Sequence, residues 1–381
     1  MKLKMKFYQG NDMNKLQNIN DVLLMGPGPS CVSENVYNAL SKPTIGHLDS
    51  SFINIMDDIK ILLQRLLNTQ NELTIPISGT GSAGMETCFV NLVEKNDNVL
   101  ILVNGVFGIR MTDVAQRLGA NVDKLEFEWG TPVCVETVKN QLANNQYDLV
   151  AVVHAETSTG VLNPIEEIGE LVSNSDALFL VDCVTSLGGI SVKMDEWSID
   201  ALYSGTQKCL SVPPGLSPIS FSQNAVAKLD NRKSKVPSWY LDVSMIANYW
   251  GGQTRIYHHT APINMNYALY QSLFDISYEG HDAVFLRHSD AHKQLVDGLH
   301  SLGLNMLVEE SARLPMLNAV IIPDGINDAE FRSNLLQKHN IEIGGGLGSL
   351  SDKIWRIGLM GHTAYPHNVE KVLKNISIEL P

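Results

Sequence analysis

The chain of 381 residues has few cysteines, and their arrangement excludes two classes of small-domain architecture. Cys31, Cys88, Cys134, Cys183 and Cys209 are odd in number, scattered and never paired as CxxC. Neither a disulfide framework nor a zinc site is indicated, and a reducing compartment is expected. Positive charge is also short: 28 basic against 41 acidic residues give a formal charge of -13. Such a chain repels phosphate backbones and anionic membranes, so no nucleic acid partner is expected. No window approaches the ~18 apolar residues of a membrane span. The opening "MKLKMKFYQGNDMNKLQN" is basic but lacks the apolar core of a secretory signal, which predicts a cytoplasmic protein. Repeats and low-complexity blocks are absent too.

What is present is an alternation. From Phe52 to Leu66 apolar residues recur at helical spacing, predicting an amphipathic helix in "SFINIMDDIKILLQRLL". Beyond it, the runs "LTIPIS", "NVLILVNG", "DLVAVVHAE", "ALFLVDCV", "IDALYSGT" and "LSPISFS" alternate with helical patterns such as "NPIEEIGELVSNS". Strands alternating with helices predict an α/β fold with a mainly parallel sheet covered on both faces. After Pro262 come long helical stretches. Then follow "LNMLVEE", "MLNAVIIP", "DAEFRSNLLQKHN", "IEIGGG", "WRIGLMG" and a closing helix from about His367, which read as a smaller α+β domain. The expected division is an N-terminal arm over 1–20, a large domain over 21–280 and a small domain over 281–381.

In an open parallel sheet, ligands bind beyond the carboxyl ends of the strands. Three such ends carry chemistry. Asp182 closes "ALFLV", Lys208 follows "IDALY" among small residues in "YSGTQKCLSVPPG", and the turn "SGTGSAGMET" precedes a helix. An apolar setting withdraws Asp182 from water, so it needs an ionic partner or serves as a turn cap. The same setting lowers the pKa of a lysine. Gly79, Gly81 and Gly84 form a GxGxxG, but "NVLILVNG" ends in Asn104 and Gly105, with no acid to hold a ribose. What remains is a turn rich in backbone N–H, with Thr80 and Ser82, suited to one phosphate. One phosphate, one lysine and one aspartate fit pyridoxal phosphate better than a dinucleotide.

These segments resemble the class V, fold-type I pyridoxal-phosphate aminotransferases, in the alanine–glyoxylate and serine–pyruvate aminotransferase group. The ordered matches are "LLMGPGPS", "GHLD", "SGTGSAGMET", "NGVFGIR", "ETSTGVLNPI", "VDCVTSLGG", "YSGTQKCLSVPPG", "YHHTAPI" and "GGGLG...WRIGLMG", covering nearly the whole chain. The resemblance implies that Lys208 binds the cofactor covalently and Asp182 pairs with its pyridine nitrogen. Thr80, Gly81, Ser82 and Gln207 would surround the phosphate, joined by Tyr257 and Thr260 from the other subunit of a homodimer. Phe107 stands where many relatives stack a tryptophan on the ring, and Thr157 replaces a serine that contacts the ring hydroxyl. Arg356 would take the substrate carboxylate, with the backbone near Gly26 closing that end of the pocket. The implied activity is ping-pong transfer of an amino group from alanine or serine to glyoxylate or pyruvate.

Rival readings stay within reach of the same residues. Donors such as 2-aminoethylphosphonate or ureidoglycine occur in similar enzymes, although Tyr257 leans against ureidoglycine. A desulfurase needs a nucleophilic cysteine in a late loop, yet every cysteine precedes residue 210. A non-catalytic binding module conflicts with the retained Lys208, Asp182 and Arg356. His258 and His259 lack a third metal ligand, so no metal is expected. His288 and His292 read as a solvated helix face, and Cys209 as a small packing residue.

Overall fold

The computed structural model describes Leu16, residues 19–251 and residues 255–381. The expected arm over 1–20 therefore lies almost wholly outside the described residues. The strands are β1 (Leu23–Leu24), β2 (Leu73–Ser78), β3 (Asn98–Val103), β4 (Asn121–Glu126), β5 (Leu149–Val153), β6 (Ala155–Glu156), β7 (Val161–Leu162), β8 (Leu178–Asp182), β9 (Ala201–Tyr203), β10 (Leu216–Phe221), β11 (Leu317–Ile321), β12 (Ile341–Glu342), β13 (Gly344–Gly345) and β14 (Ile354–Gly358). The helices are α1 (Glu34–Leu40), α2 (Ser50–Leu66), α3 (Gly81–Leu92), α4 (Val106–Arg117), α5 (Val135–Asn144), α6 (Ile165–Ser173), α7 (Gln223–Asp230), α8 (Val243–Trp250), α9 (Ile263–Glu279), α10 (His281–Ser301), α11 (Asp328–His339) and α12 (Pro366–Glu379). Among the described residues no helix is long and apolar enough to cross a membrane.

Helix α2 shows how pattern becomes packing. The Asp49 carboxylate accepts from the Ser51 amide at 2.8 Å, capping the first turn. Phe52, Met56, Ile59, Leu63 and Leu66 then fall on one buried face. Each such burial contributes roughly 1.5–3 kcal/mol.

The central seven-stranded sheet has the order β2-β10-β9-β8-β5-β3-β4. β10 is antiparallel to both neighbours, while β9, β8, β5, β3 and β4 are parallel. Because β10 reverses direction between them, β2 and β9 also point the same way. The carboxyl ends of β2, β3, β5, β8 and β9 consequently share one edge of the sheet. β5 and β8 are buried along their whole length, as strands covered on both faces must be.

Beyond α10 the chain builds a three-stranded antiparallel sheet, β11-β14-β13, in which Arg356 lies opposite Ala319 and Gly344. The stacked rings of Phe331 and Trp355, 4.1 Å apart, belong to its core, which also includes Met25. Residues near the start of the chain are thus built into this later sheet system. β1 pairs in parallel with β12, the Met25 amide donates to Glu342 O at 2.8 Å, and the Gly358 amide donates to Met25 O at 2.7 Å.

Two expectations need correction. "LNMLVEE" forms no strand; only Met306 bridges Val320, because the chain turns at Glu310–Ala312 and the Arg313 Nε returns to bond Val308 O. His288 is not on a solvated face. It is fully buried, its Nδ1 lies 2.7 Å from Val284 O, and its Nε2 accepts from the Gly361 amide at 2.9 Å. The neighbouring His292 is half-buried and bonds Asn318.

Candidate active site

The shared edge of the sheet opens into a cavity of about 240 Å³ lined by Gly81, Ser82, Phe107, Thr157, Asp182, Gln207 and Lys208, with Arg110, Tyr203 and others. A larger groove of about 730 Å³ lies elsewhere, against α2, β2, α7 and α8, and holds none of these residues.

Lys208 follows β9 in a loop that ends at Pro213-Pro214-Gly215, and is 9 % exposed. Its Nζ donates to the carbonyl of Pro27, and an added Cβ at Gly28 would lie 2.6 Å from that nitrogen. Gly28 also has φ +107, so glycine is needed there for both conformation and space. The loop backbone is fastened in turn: Ser30 Oγ donates to Lys208 O at 2.6 Å. Burial brings the Lys208 amine down to about 8. Cys209 and Asp182 oppose that drop, while the Arg356 charge adds to it.

Asp182 ends β8, in register with Tyr203 on β9. Its Oδ1 accepts from the Val184 amide at 2.8 Å and its Oδ2 from the Tyr203 hydroxyl at 2.7 Å. Burial raises this carboxyl to about 6, against the pull of those two donors and of Lys208. It is therefore an acceptor near neutral pH, aimed into the cavity that also holds the lysine.

Helix α3 starts at Gly81 immediately after β2. Thr80, its N-cap, makes no side-chain cap bond, and no acid occupies the first turn. The positive end of the helix dipole, with the exposed hydroxyls of Thr80 and Ser82, is left facing solvent at the cavity mouth. Nearby, Gln207 Oε1 is buried without a hydrogen-bond partner. Turning that amide over would present its N–H2 instead. An unmatched amide, an uncapped helix start, a near-neutral lysine and a hydrogen-bonded aspartate form a donor set that fits a phosphorylated pyridine aldehyde.

Arg356 on β14 is buried, with Nε donating to Gly345 O at 2.7 Å and Nη1 to Thr157 O at 3.2 Å. Burial lowers it to about 10, so it stays a cation. It does not line the cavity but sits behind Thr157. Gly26 lies between β12 and β14, one residue from the carbonyl that holds Lys208, and an added Cβ at Gly358 would lie 2.1 Å from Gly26 O. Tyr257 and Thr260 do not line the cavity either. Both are exposed, with Tyr257 Oη 3.4 Å from Thr260 Oγ1. His259 Nε2 bonds Ser78 Oγ at 2.7 Å and its Nδ1 lies 2.8 Å from His258 Nδ1, which ties this segment to the end of β2. Cys209 is buried and donates to Thr185 O at 3.1 Å, a packing role. Among the described residues no cluster of His, Cys, Asp or Glu could hold a metal ion.

Three participants escaped sequence reasoning. Tyr203, at the end of the next parallel strand, lies opposite Asp182 and in reach of its carboxylate. Arg110 has its guanidinium 5.0 Å from the Phe107 ring centroid, an arrangement with no simple sequence signal. Glu156 closes the apolar run "DLVAVVHAE" just as Asp182 closes "ALFLVD", a signal legible in the sequence.

Comparison with known proteins finds relatives along nearly the whole chain. The family description "Aminotransferase class-V" matches residues 32–361. An alanine–glyoxylate aminotransferase of Rattus norvegicus is 41% identical over 363 residues, covering 94% of this chain and 88% of its own length. A (S)-ureidoglycine–glyoxylate transaminase of Bacillus subtilis is 38% identical, covering 94% of this chain and 90% of its own. The crystal structure of an alanine–glyoxylate aminotransferase from Nostoc sp. superposes with a TM-score of 0.94 at 42% identity, covering 97% of this chain and 100% of that one.

Proposed function

The chain belongs to the class-V aminotransferase family, and from that premise we propose that it transfers an amino group from alanine or serine to glyoxylate or pyruvate in a ping-pong cycle. It is a fold-type I transaminase that depends on pyridoxal 5'-phosphate. The observation that carries the reading is the pair at the ends of adjacent parallel strands: a lysine brought down to about 8 and a buried aspartate in one small cavity.

When bound, the cofactor supplies an electron sink for the substrate Cα and a carbon that stores the amino group. Lys208 would hold it, and once displaced by the donor amine its Nζ would move the proton from the donor Cα to the cofactor carbon that keeps the amino group, and in the reverse direction for the oxo acid. The Asp182 carboxylate would hold the proton on the pyridine nitrogen, with the Tyr203 hydroxyl keeping that carboxylate oriented. Thr80, Gly81, Ser82 and Gln207 receive the phosphate; Phe107 offers a stacking face and Thr157 a hydroxyl for the ring. Arg356 would take the substrate carboxylate through the guanidinium N–H groups that Gly345 O and Thr157 O do not occupy, with the backbone at Gly26 beside it.

The reading includes a homodimer in which Tyr257 and Thr260 complete the partner's phosphate site, which accounts for two polar side chains exposed away from their own cavity. It also includes a cytoplasmic location and a division of the chain near residue 280. Ureidoglycine is kept as a second donor because of the similarity to the Bacillus subtilis transaminase.

An absorbance titration tests the function. Purified protein with added cofactor should show a band near ~410 nm that gives way to one near ~330 nm with the true donor and returns with glyoxylate or pyruvate. L-alanine, L-serine, 2-aminoethylphosphonate and ureidoglycine are compared in turn. Lys208→Ala should bind the cofactor without turnover; normal turnover in that variant would overturn the lysine's role.

A further inference from the structure

Glu156, at the end of β6, is fully buried and has no part in the mechanism above. Its Oε1 accepts from the Ser158 amide at 3.0 Å and from the Ser158 hydroxyl at 2.5 Å. Its Oε2 accepts from the Phe107 amide at 3.2 Å. Ser158 Oγ also accepts from the Val106 amide at 3.0 Å. The first two amides of α4 are therefore closed by one carboxylate and one hydroxyl from the turn between β6 and β7.

This fit is tight. A Cβ at Gly105 would lie 2.4 Å from Glu156 Cγ and Cδ and from Ser158 Oγ. The backbone at Gly105 is extended, with φ 178, so glycine is present for space alone. The charge has a reason as well: three donors and a helix start favour an anion, and burial opposes it. Burial, with Asp182 adding to it, raises Glu156 to about 7. Asp182 on β8, Tyr203 on β9 and Arg356 on β14 are the other ionisable groups that act on it or feel its charge.

We propose that Glu156 is a positioning residue that anchors the start of α4, holds Phe107 as the stacking face for the cofactor ring, and places a carboxylate behind the site. Phe107 carries one of the two amides that Glu156 and Ser158 close, and it lines the same cavity as Thr157 and Asp182. The neighbouring Thr157 carbonyl accepts from Arg356, so this short turn serves both the ring face and the carboxylate clamp. The inference rests on the reading of the cavity as a pyridoxal-phosphate site.

The test compares wild type, Glu156→Gln and Ser158→Ala as holoenzymes. Its readouts are the Kd for pyridoxal phosphate, the visible circular dichroism of the bound cofactor, and the pH midpoint of its visible band. Glu156→Gln keeps the size and loses the charge. It should weaken cofactor binding roughly tenfold, reduce the visible dichroism, and move the midpoint down by roughly half a unit or more, because loss of a nearby negative charge disfavours the protonated chromophore. Ser158→Ala should weaken binding in the same direction by a smaller factor. A wild-type Kd and an unmoved midpoint in Glu156→Gln overturn the inference. If Glu156→Gln does not fold, wild-type Kd and dichroism in Ser158→Ala overturn it instead. Absence of any visible band in the wild type would sink the cofactor reading itself, a separate outcome.

Discussion

Lys208 can capture pyridoxal phosphate only as a free amine, so the rate of capture by cofactor-free protein reports its protonation. Burial brings this amine from 10.5 to about 8. At pH 7 roughly one molecule in ten then carries a free amine, against about one in three thousand for an unperturbed lysine, a gain of roughly 300-fold. The perturbation is pH, and the assay is stopped-flow absorbance after mixing with excess cofactor, with a small-molecule lysine amine as the reference for the cofactor's own ionisations. With the cofactor's own ionisations allowed for, capture should rise about tenfold per pH unit below 8 and level off above it, while the reference amine keeps climbing toward its ordinary value. The neighbouring charges fix the direction of two further shifts. Asp182 favours the ammonium, so Asp182→Asn should move the midpoint down; Arg356 opposes it, so Arg356→Met should move the midpoint up. Capture that keeps climbing tenfold per unit to pH 10 would refute the desolvated lysine. Shifts of both variants in the opposite directions would refute the assignment of its neighbours.

Tyr203→Phe removes the 2.7 Å donor to Asp182 Oδ2. A hydrogen bond to a charged group contributes about 1.5–3 kcal/mol, so the Asp182 carboxyl should rise by about one to two units. The acid limb of cofactor retention, followed by absorbance against pH, should move up by the same amount, and an unchanged limb would show that the hydroxyl does not support the carboxylate. Gly28→Ala places a methyl 2.6 Å from Lys208 Nζ at a position with φ +107. Cofactor capture should slow at least roughly tenfold, the conformational strain alone being about 1–3 kcal/mol, and capture at the wild-type rate would show that the Pro27–Lys208 contact is dispensable. Arg356→Gln should raise KM for both the amino acid and the oxo acid by roughly 10- to 100-fold, as expected for a lost charge-assisted pair. A rise for the donor alone would remove Arg356 as the carboxylate clamp.

The sequence exposes the parts of this site that are local. Each buried strand is a continuous apolar run, so its end is visible, and Asp182, Lys208 and the turn at Gly79–Gly84 all lie just past such ends. Tyr203 is equally close to a strand end. Its meaning depends on register, Asp182 opposite Tyr203 in a parallel pair, and apolar runs do not carry register. His288 and His292 share an i, i+4 helix face, which reads as solvated; the partner of His288, the Gly361 amide, is brought up by the late turn after β14. Gly105 and Glu156 belong together only through a close approach between α4 and the β6–β7 turn. The pairing of β1 with β12 is similarly beyond local pattern, since two-residue strands have no periodicity to read.

That last pairing bears on how the protein is made. Leu23 and Leu24 leave the ribosome well before their partners Ile341 and Glu342, which follow 318 residues later (341 minus 23). At about 5–20 residues per second the wait is on the order of tens of seconds. During that time the central sheet can assemble while the Gly26–Gly28 strap, whose Pro27 carbonyl holds Lys208, has no frame to rest on. The newborn chain thus has its lysine before it has the lysine's cage. A chain stalled or cut before Ile341 should retain much of the sheet and still fail to hold its cofactor, because the strap then lacks the frame against which the site closes.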